Sequence, residues 1–171
     1  MLILMAGLPG TGKSTLSRRL AVELGGTVID KDQVRAALFS PADIEFSSEQ
    51  DDFCMAVMLK VAGYLFRKDP ARLIFLDGRT FSRRYQLKRA TGYAEAIGQH
   101  WRIIQCVCSE ESARRRLSSD PGHPAGNRNF DLYLEVKNRF EEITFPKGIV
   151  DTDQPVEKCV ALARTIIAEA R

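Results

Sequence analysis

Short apolar runs alternate along the chain with longer stretches in which apolar residues recur at helical spacing. Five of the runs have the length and composition of buried β-strands, and helical patterns occupy much of the chain between them. A chain that alternates strands and helices in this way typically forms a parallel sheet with helices on both faces. The predicted strands are residues 2–6, 27–30, 73–77, 102–107 and 148–150.

Capping signals mark the ends of several predicted helices. Ser47 and Gln50 have the spacing of a capping box at the start of a long helix over residues 48–66. Gly98 stands where a glycine would end the helix before the fourth strand, and Pro155 stands near the first turn of the last helix. On periodicity we assign the core-facing stripe of the long helix to six residues: Phe53, Ala56, Val57, Val61, Tyr64 and Leu65.

The segment between the first strand and the first helix carries the strongest chemical signal. Its sequence, GLPGTGKST, has the spacing of a phosphate-binding loop. Glycines in such a loop let backbone N–H groups point at phosphate oxygens, and the following helix adds the positive end of its dipole. Lys13 is expected to reach the β- and γ-phosphates, and the Ser14 hydroxyl to ligate Mg²⁺. The predicted nucleotide-binding residues are Gly7, Leu8, Pro9, Gly10, Thr11, Gly12, Lys13, Ser14 and Thr15.

Polar residues directly after the other strands are the next candidates, because parallel sheets bind ligands beyond the carboxyl ends of their strands. Asp77 ends the third predicted strand, where a carboxylate commonly holds the magnesium shell. Asp32 and Arg35 follow the second strand and are three residues apart, so they share a helix face. Asp32 can accept the proton of an attacking hydroxyl while Arg35 holds the acceptor or the phosphoryl group. Asp32 can equally be an acidic cap at a helix N-terminus with a local ion pair, and the residues alone leave both interpretations open.

Arginines near the later strands have both a functional and a structural interpretation. Three consecutive arginines follow the fourth strand and cannot all face one site, and we retain Arg116 as a nucleotide contact. Arg128 stands alone in a loop rich in Ser, Pro, Gly and Asn, where it can enter a closing site and neutralise transition-state charge. After the fifth strand, residues 151–155 can border the adenine through their backbone or cap the last helix, and we favour the cap. Three arginines follow Asp77 in the sequence. They can reach an anionic substrate, and a solvated basic helix face explains them at least as well: Arg79, Arg83 and Arg84.

Composition narrows the functional classes. A length of 171 residues predicts one domain over residues 1–171, and a net charge of +3 does not require a nucleic-acid partner. Four cysteines without metal-ligand spacing and two histidines argue against a zinc site. No stretch is long enough to span a membrane, and the first apolar run lacks the features of a signal peptide, so we expect a cytoplasmic protein.

With the loop GLPGTGKST, the run Asp32-Gln33-Val34-Arg35 and the stretch HPAGNRNFDLYLEVKNRFEEI, the chain resembles the small P-loop kinases of the nucleoside-monophosphate-kinase-like group. Within that group it is most similar to predicted kinases with an AAA-type ATP-binding label and to phage polynucleotide 5′-hydroxyl kinase. The resemblance implies a three-layer α/β P-loop NTPase fold. Its five-stranded parallel sheet would have the order 2-3-1-4-5 between helices, and a small lid would lie at about residues 112–130.

The resemblance also implies an activity. ATP and Mg²⁺ would be the cofactors, Asp32 the general base, Arg35 a contact of the acceptor or phosphate, and Arg128 the lid arginine, in a monomeric kinase. A small hydroxyl compound is the favoured acceptor, and nucleic acid is not favoured. A polynucleotide 5′-hydroxyl kinase, a zeta-toxin-like kinase and a non-catalytic ATP-binding module stay open as alternatives, because fold analogy cannot choose the acceptor. The missing Asn-Lys-x-Asp element argues against a GTPase.

Overall fold

One parallel sheet organises the structure, a computed structural model that describes residues 1–119 and 129–169. Its strands are β1 (Leu2–Ala6), β2 (Thr27–Asp30), β3 (Ile74–Asp77), β4 (Trp101–Val107) and β5 (Lys147–Asp151). Neighbouring strands are parallel, and their order is β2-β3-β1-β4-β5. The predicted sheet order is confirmed, and each predicted strand lies within about two residues of its observed bounds.

Helices cover both faces of the sheet. Side chains of β1 alternate between two buried clusters, as a strand requires. Leu2 and Leu4 belong to a cluster with α3 and α4, whereas Ile3 and Met5 belong to a cluster with α1 and α7. The predicted three-layer α/β fold is therefore confirmed. The helices are α1 (Lys13–Leu24), α2 (Lys31–Leu38), α3 (Ser48–Lys68), α4 (Arg84–Ala96), α5 (Glu110–Ser118), α6 (Phe130–Asn138) and α7 (Val156–Ala168), with a 3-10 turn at Pro41–Asp43.

Two of the capping predictions can be compared directly with the structure. Ser47 Oγ accepts the backbone N–H of Gln50 at 3.1 Å, as the capping box requires. The reciprocal half is wrong, because the Gln50 side chain bonds instead to the backbone of Asp43 and Glu45. Gly98 adopts φ 68° directly after the α4 cap, which confirms its predicted place at the helix end.

The predicted core-facing stripe of α3 is wrong. Phe53 is 55% exposed, and Val61 and Tyr64 are also exposed. The helix carries apolar residues around most of its circumference, so periodicity does not select the buried face, and packing against the sheet and α4 selects it instead. The buried apolar residues of α3 are Cys54, Met55, Met58, Leu59, Ala62 and Phe66.

This correction predicts a large loss of stability for one truncation in α3 and a small one for another. Met58 is fully buried in the cluster that contains Leu2 and Leu4, so Met58→Ala should lower the free energy of unfolding by about 2–5 kcal/mol. Val61→Ala should change it by no more than about 0.5 kcal/mol, because the side chain is half exposed. Urea unfolding of both variants measures the difference. A larger loss for Val61→Ala would restore the stripe predicted from periodicity.

Candidate active site

The phosphate loop joins β1 to α1 and is wedged between the neighbouring strands β3 and β4. Gly7 has φ 134°, and a Cβ there would lie 2.3 Å from the carbonyl oxygen of Cys106 in β4. On the other side, the Gly7 N–H donates to the Thr80 carbonyl at 3.0 Å, just past the end of β3. Glycine is required at this position because the Cys106 carbonyl occupies the space that a Cβ would need.

Lys13 and the end of β3 lie on the inner side of the loop. Lys13 Nζ donates to the carbonyls of Gly7 at 2.9 Å and Leu8 at 2.7 Å, which holds the ammonium group within the loop. Asp77 is fully buried, and its Oδ2 accepts the Ser17 hydroxyl at 3.0 Å. The other carboxylate oxygen, Oδ1, has no hydrogen-bond partner among residues 1–119 and 129–169. This buried oxygen and the Ser14 hydroxyl provide the oxygen chemistry that Mg²⁺ prefers, so the predicted metal-holding residues fit the ion.

Asp30, and not Asp32, caps helix α2. Asp30 Oδ1 accepts the N–H groups of Asp32 at 2.9 Å and Gln33 at 3.4 Å. Burial raises the pKa of the Asp30 carboxyl above its usual range, the nearby charge of Asp77 adds to the rise, and the N–H donors oppose it. Because Asp30 satisfies the helix terminus, the side chain of Asp32 is left for another use.

Asp32 belongs to a buried cluster of charges. Arg35 Nη1 lies 3.0 Å from Asp32 Oδ1, which confirms that the two side chains share a helix face. Lys31 Nζ lies 3.4 Å from the same oxygen and 2.7 Å from Asp51 Oδ1 on α3. Asp51 also pairs with Arg35 Nη2, and the Arg35 guanidinium lies over the ring of Phe46. Asp51 therefore ties both cations to α3 and fixes the orientation of Asp32 between them.

A cavity of about 280 Å³ connects this cluster to the phosphate loop. Lys13 and Ser14 line it on the loop side, and Asp32 and Arg35 line it on the α2 side. The loop residues and the Asp32–Arg35 pair, which the sequence proposed as two separate candidates, therefore line one space. The remaining walls come from the segment after β3, from α4 and from α6.

Arg116 lies at a second recess, of about 380 Å³, beside the start of α1. Its Nη2 donates to the Thr152 carbonyl at 2.7 Å, and its Nη1 donates to the Gly10 carbonyl at 3.3 Å. Thr15 and Val156 also line this recess. Arg116 thus links the phosphate loop to the segment after β5 and lies where it can border a nucleotide.

The predicted capping of the last helix by residues 151–155 is wrong. Pro155 is the cap residue of α7, and no side chain of residues 1–119 or 129–169 caps that terminus. Asp153 instead accepts the N–H of Ser109 at 2.7 Å, at the start of α5. This N–H is the main cause that lowers the pKa of Asp153 to about 2. The carboxylate acts on α5 because β4 and β5 are neighbours in the sheet.

Sequence reasoning missed part of this site and named one residue that cannot be located. Arg128 lies outside the described residues, as does the rest of segment 120–128 of the predicted lid. Lys31 and Asp51 were not singled out, although both contact the Asp32–Arg35 pair. Lys31 precedes Asp32 directly and was detectable, whereas Asp51 stands 19 positions later in an ordinary helical pattern. Arg79 and Arg83 line the cavity, and Arg84 is exposed.

Comparison with protein-family models gives the family. The AAA_33 model, described as an AAA domain, matches residues 2–142, which include the phosphate loop and all but the last strand. The chain belongs to this AAA-domain family. The resemblance to small P-loop kinases that carry an AAA-type label is confirmed. A comparison with curated proteins gave no significant match.

Solved structures give the same fold for this member of the AAA-domain family. A predicted kinase from Chloroflexus aurantiacus J-10-fl is 20% identical with a TM-score of 0.74, over 96% of this chain and 97% of that one. The gluconokinase from Sinorhizobium meliloti 1021 is 18% identical with a TM-score of 0.69, over 97% and 93%. The APS kinase CysC from Mycobacterium tuberculosis, solved with AMPPNP and APS, is 19% identical with a TM-score of 0.71, over 98% and 96%. The fold is thus that of the P-loop kinases. None of the described helices is long and apolar enough to cross a bilayer.

The close approach at Gly7 predicts a strong effect for a single methyl group. Gly7→Ala should lower the free energy of unfolding by about 1–3 kcal/mol, because φ 134° is strained for alanine and the methyl meets the Cys106 carbonyl. Gly92→Ala is the matched control, since no atom outside the local helix lies within 4 Å of its new Cβ and alanine favours a helix by up to about 1 kcal/mol. Equal stability of the two variants in urea would contradict the packing described for the loop.

Proposed function

We propose that this chain is an ATP-dependent phosphotransferase that moves the γ-phosphate of ATP to a hydroxyl group. The observation that carries the proposal is the shared cavity, which Lys13 and Ser14 line from the phosphate loop and Asp32 and Arg35 line from α2. Membership of the AAA-domain family and a fold shared with P-loop kinases support the same activity. A phosphate loop alone would equally serve a binding module.

The donor half of the proposed site is the loop with its flanking groups. On ATP binding, Lys13 Nζ exchanges loop carbonyls for oxygens of the β- and γ-phosphates. Ser14 and Asp77 would hold Mg²⁺, directly or through water, and the bound ion would neutralise charge on those oxygens. The recess at Arg116 is the proposed position of the rest of the nucleotide.

The acceptor half centres on Asp32. As the hydroxyl oxygen of the acceptor attacks the γ-phosphorus, its proton passes to the Asp32 carboxylate. The bond between the γ-phosphorus and the β–γ bridging oxygen breaks, and ADP leaves with that electron pair. Arg35, held 3.0 Å from Asp32, orients the carboxylate and lies beside the developing charge. We retain Arg128 as the lid arginine on the resemblance alone.

The size of the cavity favours a small acceptor. Its volume of about 280 Å³ is near the lower end for small-molecule sites, roughly 300–1,000 Å³. A cavity of this size suits a metabolite better than a nucleic-acid end, which usually needs a separate basic surface for the backbone phosphates. The net charge of +3 is consistent with the same choice.

Acceptor-dependent release of ADP tests the proposed function. A panel of hydroxyl metabolites, with a 5′-hydroxyl oligonucleotide included, is incubated with the protein and Mg²⁺·ATP. We expect ADP release with at least one small acceptor and its loss in Lys13→Ala, which removes the phosphate contact. ATP binding without ADP release for any acceptor would instead indicate a non-catalytic module, and reaction of the oligonucleotide alone would indicate an end kinase.

The proposed base gives a second prediction. Asp32→Asn should lower kcat by roughly 10²- to 10⁴-fold, because the amide cannot take the proton, while the Kd for ATP stays the same. Asp43→Asn makes the same chemical change at an exposed carboxylate outside the cavity and should leave kcat unchanged. Steady-state kinetics with the acceptor found above and calorimetric ATP titrations measure both quantities. Wild-type turnover in Asp32→Asn would remove Asp32 from the proposed mechanism.

A further inference from the structure

The cavity beside the phosphate loop is strongly basic. Among the described residues, six lysine and arginine side chains line it against two carboxylates, Asp32 and Asp51. Three of the cations already have partners in the proposed site, since Lys13 belongs to the loop and Lys31 and Arg35 pair with the two carboxylates. The other three are Arg79, Arg83 and Arg139, and each pairs with a carboxylate that does not line the cavity.

Arg79 differs from the other two because it is buried. Only 3% of its side chain is exposed, whereas Arg83 and Arg139 are 39% and 45% exposed and pair with glutamates. Its single ion-pair partner among the described residues is Asp52, whose Oδ1 lies 2.6 Å from Nη2. A buried guanidinium is costly to desolvate unless its N–H groups are satisfied.

One edge of this guanidinium is only partly satisfied within the described part of the chain. Nε of Arg79 makes no hydrogen bond there, and Nη2 contacts Asp52 alone. These two nitrogens lie on one edge of the planar guanidinium. That edge is the donor pair that binds two oxygens of a carboxylate, phosphate or sulfate side by side.

The backbone around Arg79 is fixed relative to the phosphate loop. The next residue, Thr80, accepts the N–H of Gly7 through its carbonyl. The preceding residue, Gly78, has φ 83° and packs so closely on α2 that a Cβ would lie 2.8 Å from the Lys31 amide nitrogen. Arg79 is therefore held at a set distance from both the loop and Asp32, which a residue that selects the acceptor requires.

We propose that the phosphoryl acceptor carries an oxyanion group in addition to its hydroxyl, and that this group displaces Asp52 and binds the Nε and Nη2 edge of Arg79. The inference rests on the proposed function of the same cavity and narrows the substrate class to hydroxyl compounds that bear a phosphate, sulfate or carboxylate.

Phosphate binding to the AMPPNP complex tests the inference without any phosphoryl transfer. With Mg²⁺·AMPPNP saturating, the anion site of the loop is filled, and inorganic phosphate is titrated by calorimetry at constant ionic strength. We expect one further phosphate site, weakened by about 10- to 100-fold in Arg79→Gln through loss of charge-assisted hydrogen bonds. Arg89→Gln, the same charge change on the exposed side of α4, should bind phosphate like the wild type.

A second variant keeps the test decisive if Arg79→Gln does not fold. Asp52→Asn removes the carboxylate beside Arg79 and leaves the guanidinium in place, so it should tighten phosphate binding severalfold. Unchanged or weaker binding in folded Asp52→Asn, or equal affinity in the wild type and folded Arg79→Gln, would overturn the inference. So would the absence of a phosphate site in the AMPPNP complex.

Activity separates this inference from the proposed function. Matched acceptors with and without an oxyanion, such as glycerol 3-phosphate and glycerol, are compared for ADP release. ADP release that is confined to neutral acceptors overturns the anionic class while the phosphotransferase stands. An Arg79-dependent phosphate site together with no ADP release from any acceptor leaves the anion site in place and removes the kinase.

Discussion

The hydrogen bond from the Gly7 amide to the Thr80 carbonyl is the contact on which the site depends. It joins the phosphate loop to the segment after β3. Gly7 fits at this position only because it has no side chain, since a Cβ would lie 2.3 Å from the Cys106 carbonyl oxygen of β4. Asp77 and Arg79 stand on the same short segment. One backbone contact thus sets the relative position of the phosphate-binding groups, the proposed magnesium carboxylate and the proposed anion contact.

Buried carboxylates at the ends of β2 and β3, with the cations beside them, form the rest of the site. At the ends of β2 and β3, Asp30 and Asp77 are register partners, and this proximity helps to raise the pKa of Asp30. Asp30 is used to cap α2, so the next carboxylate, Asp32, faces the cavity with Arg35 and Asp51 around it. These ion pairs hold the Asp32 carboxylate rigidly at a buried position where an unpaired charge would be costly.

Most of the fold and several candidate residues on both sides of the site could be predicted, because their signals are local. The phosphate loop, Asp77 at a strand end, and Asp32 three residues before Arg35 can each be recognised within a few positions. The rest depends on tertiary packing. The buried face of α3 is chosen by the sheet, the pairing of Asp51 with α2 joins positions distant in sequence, and the burial of Arg79 is set by neighbours that its own segment does not reveal.

The central claim is that phosphate donor and proposed base share one cavity, and a crystal structure with Mg²⁺·AMPPNP tests it most directly. The account predicts the γ-phosphate on the loop beside Lys13, pointing into the cavity, with the Asp32 carboxylate close enough to reach an acceptor hydroxyl placed for attack. That reach is a hydrogen bond of about 2.6–3.2 Å to the hydroxyl, or one water more. A γ-phosphate that points out of the cavity, or that protein atoms separate from Asp32, would contradict it.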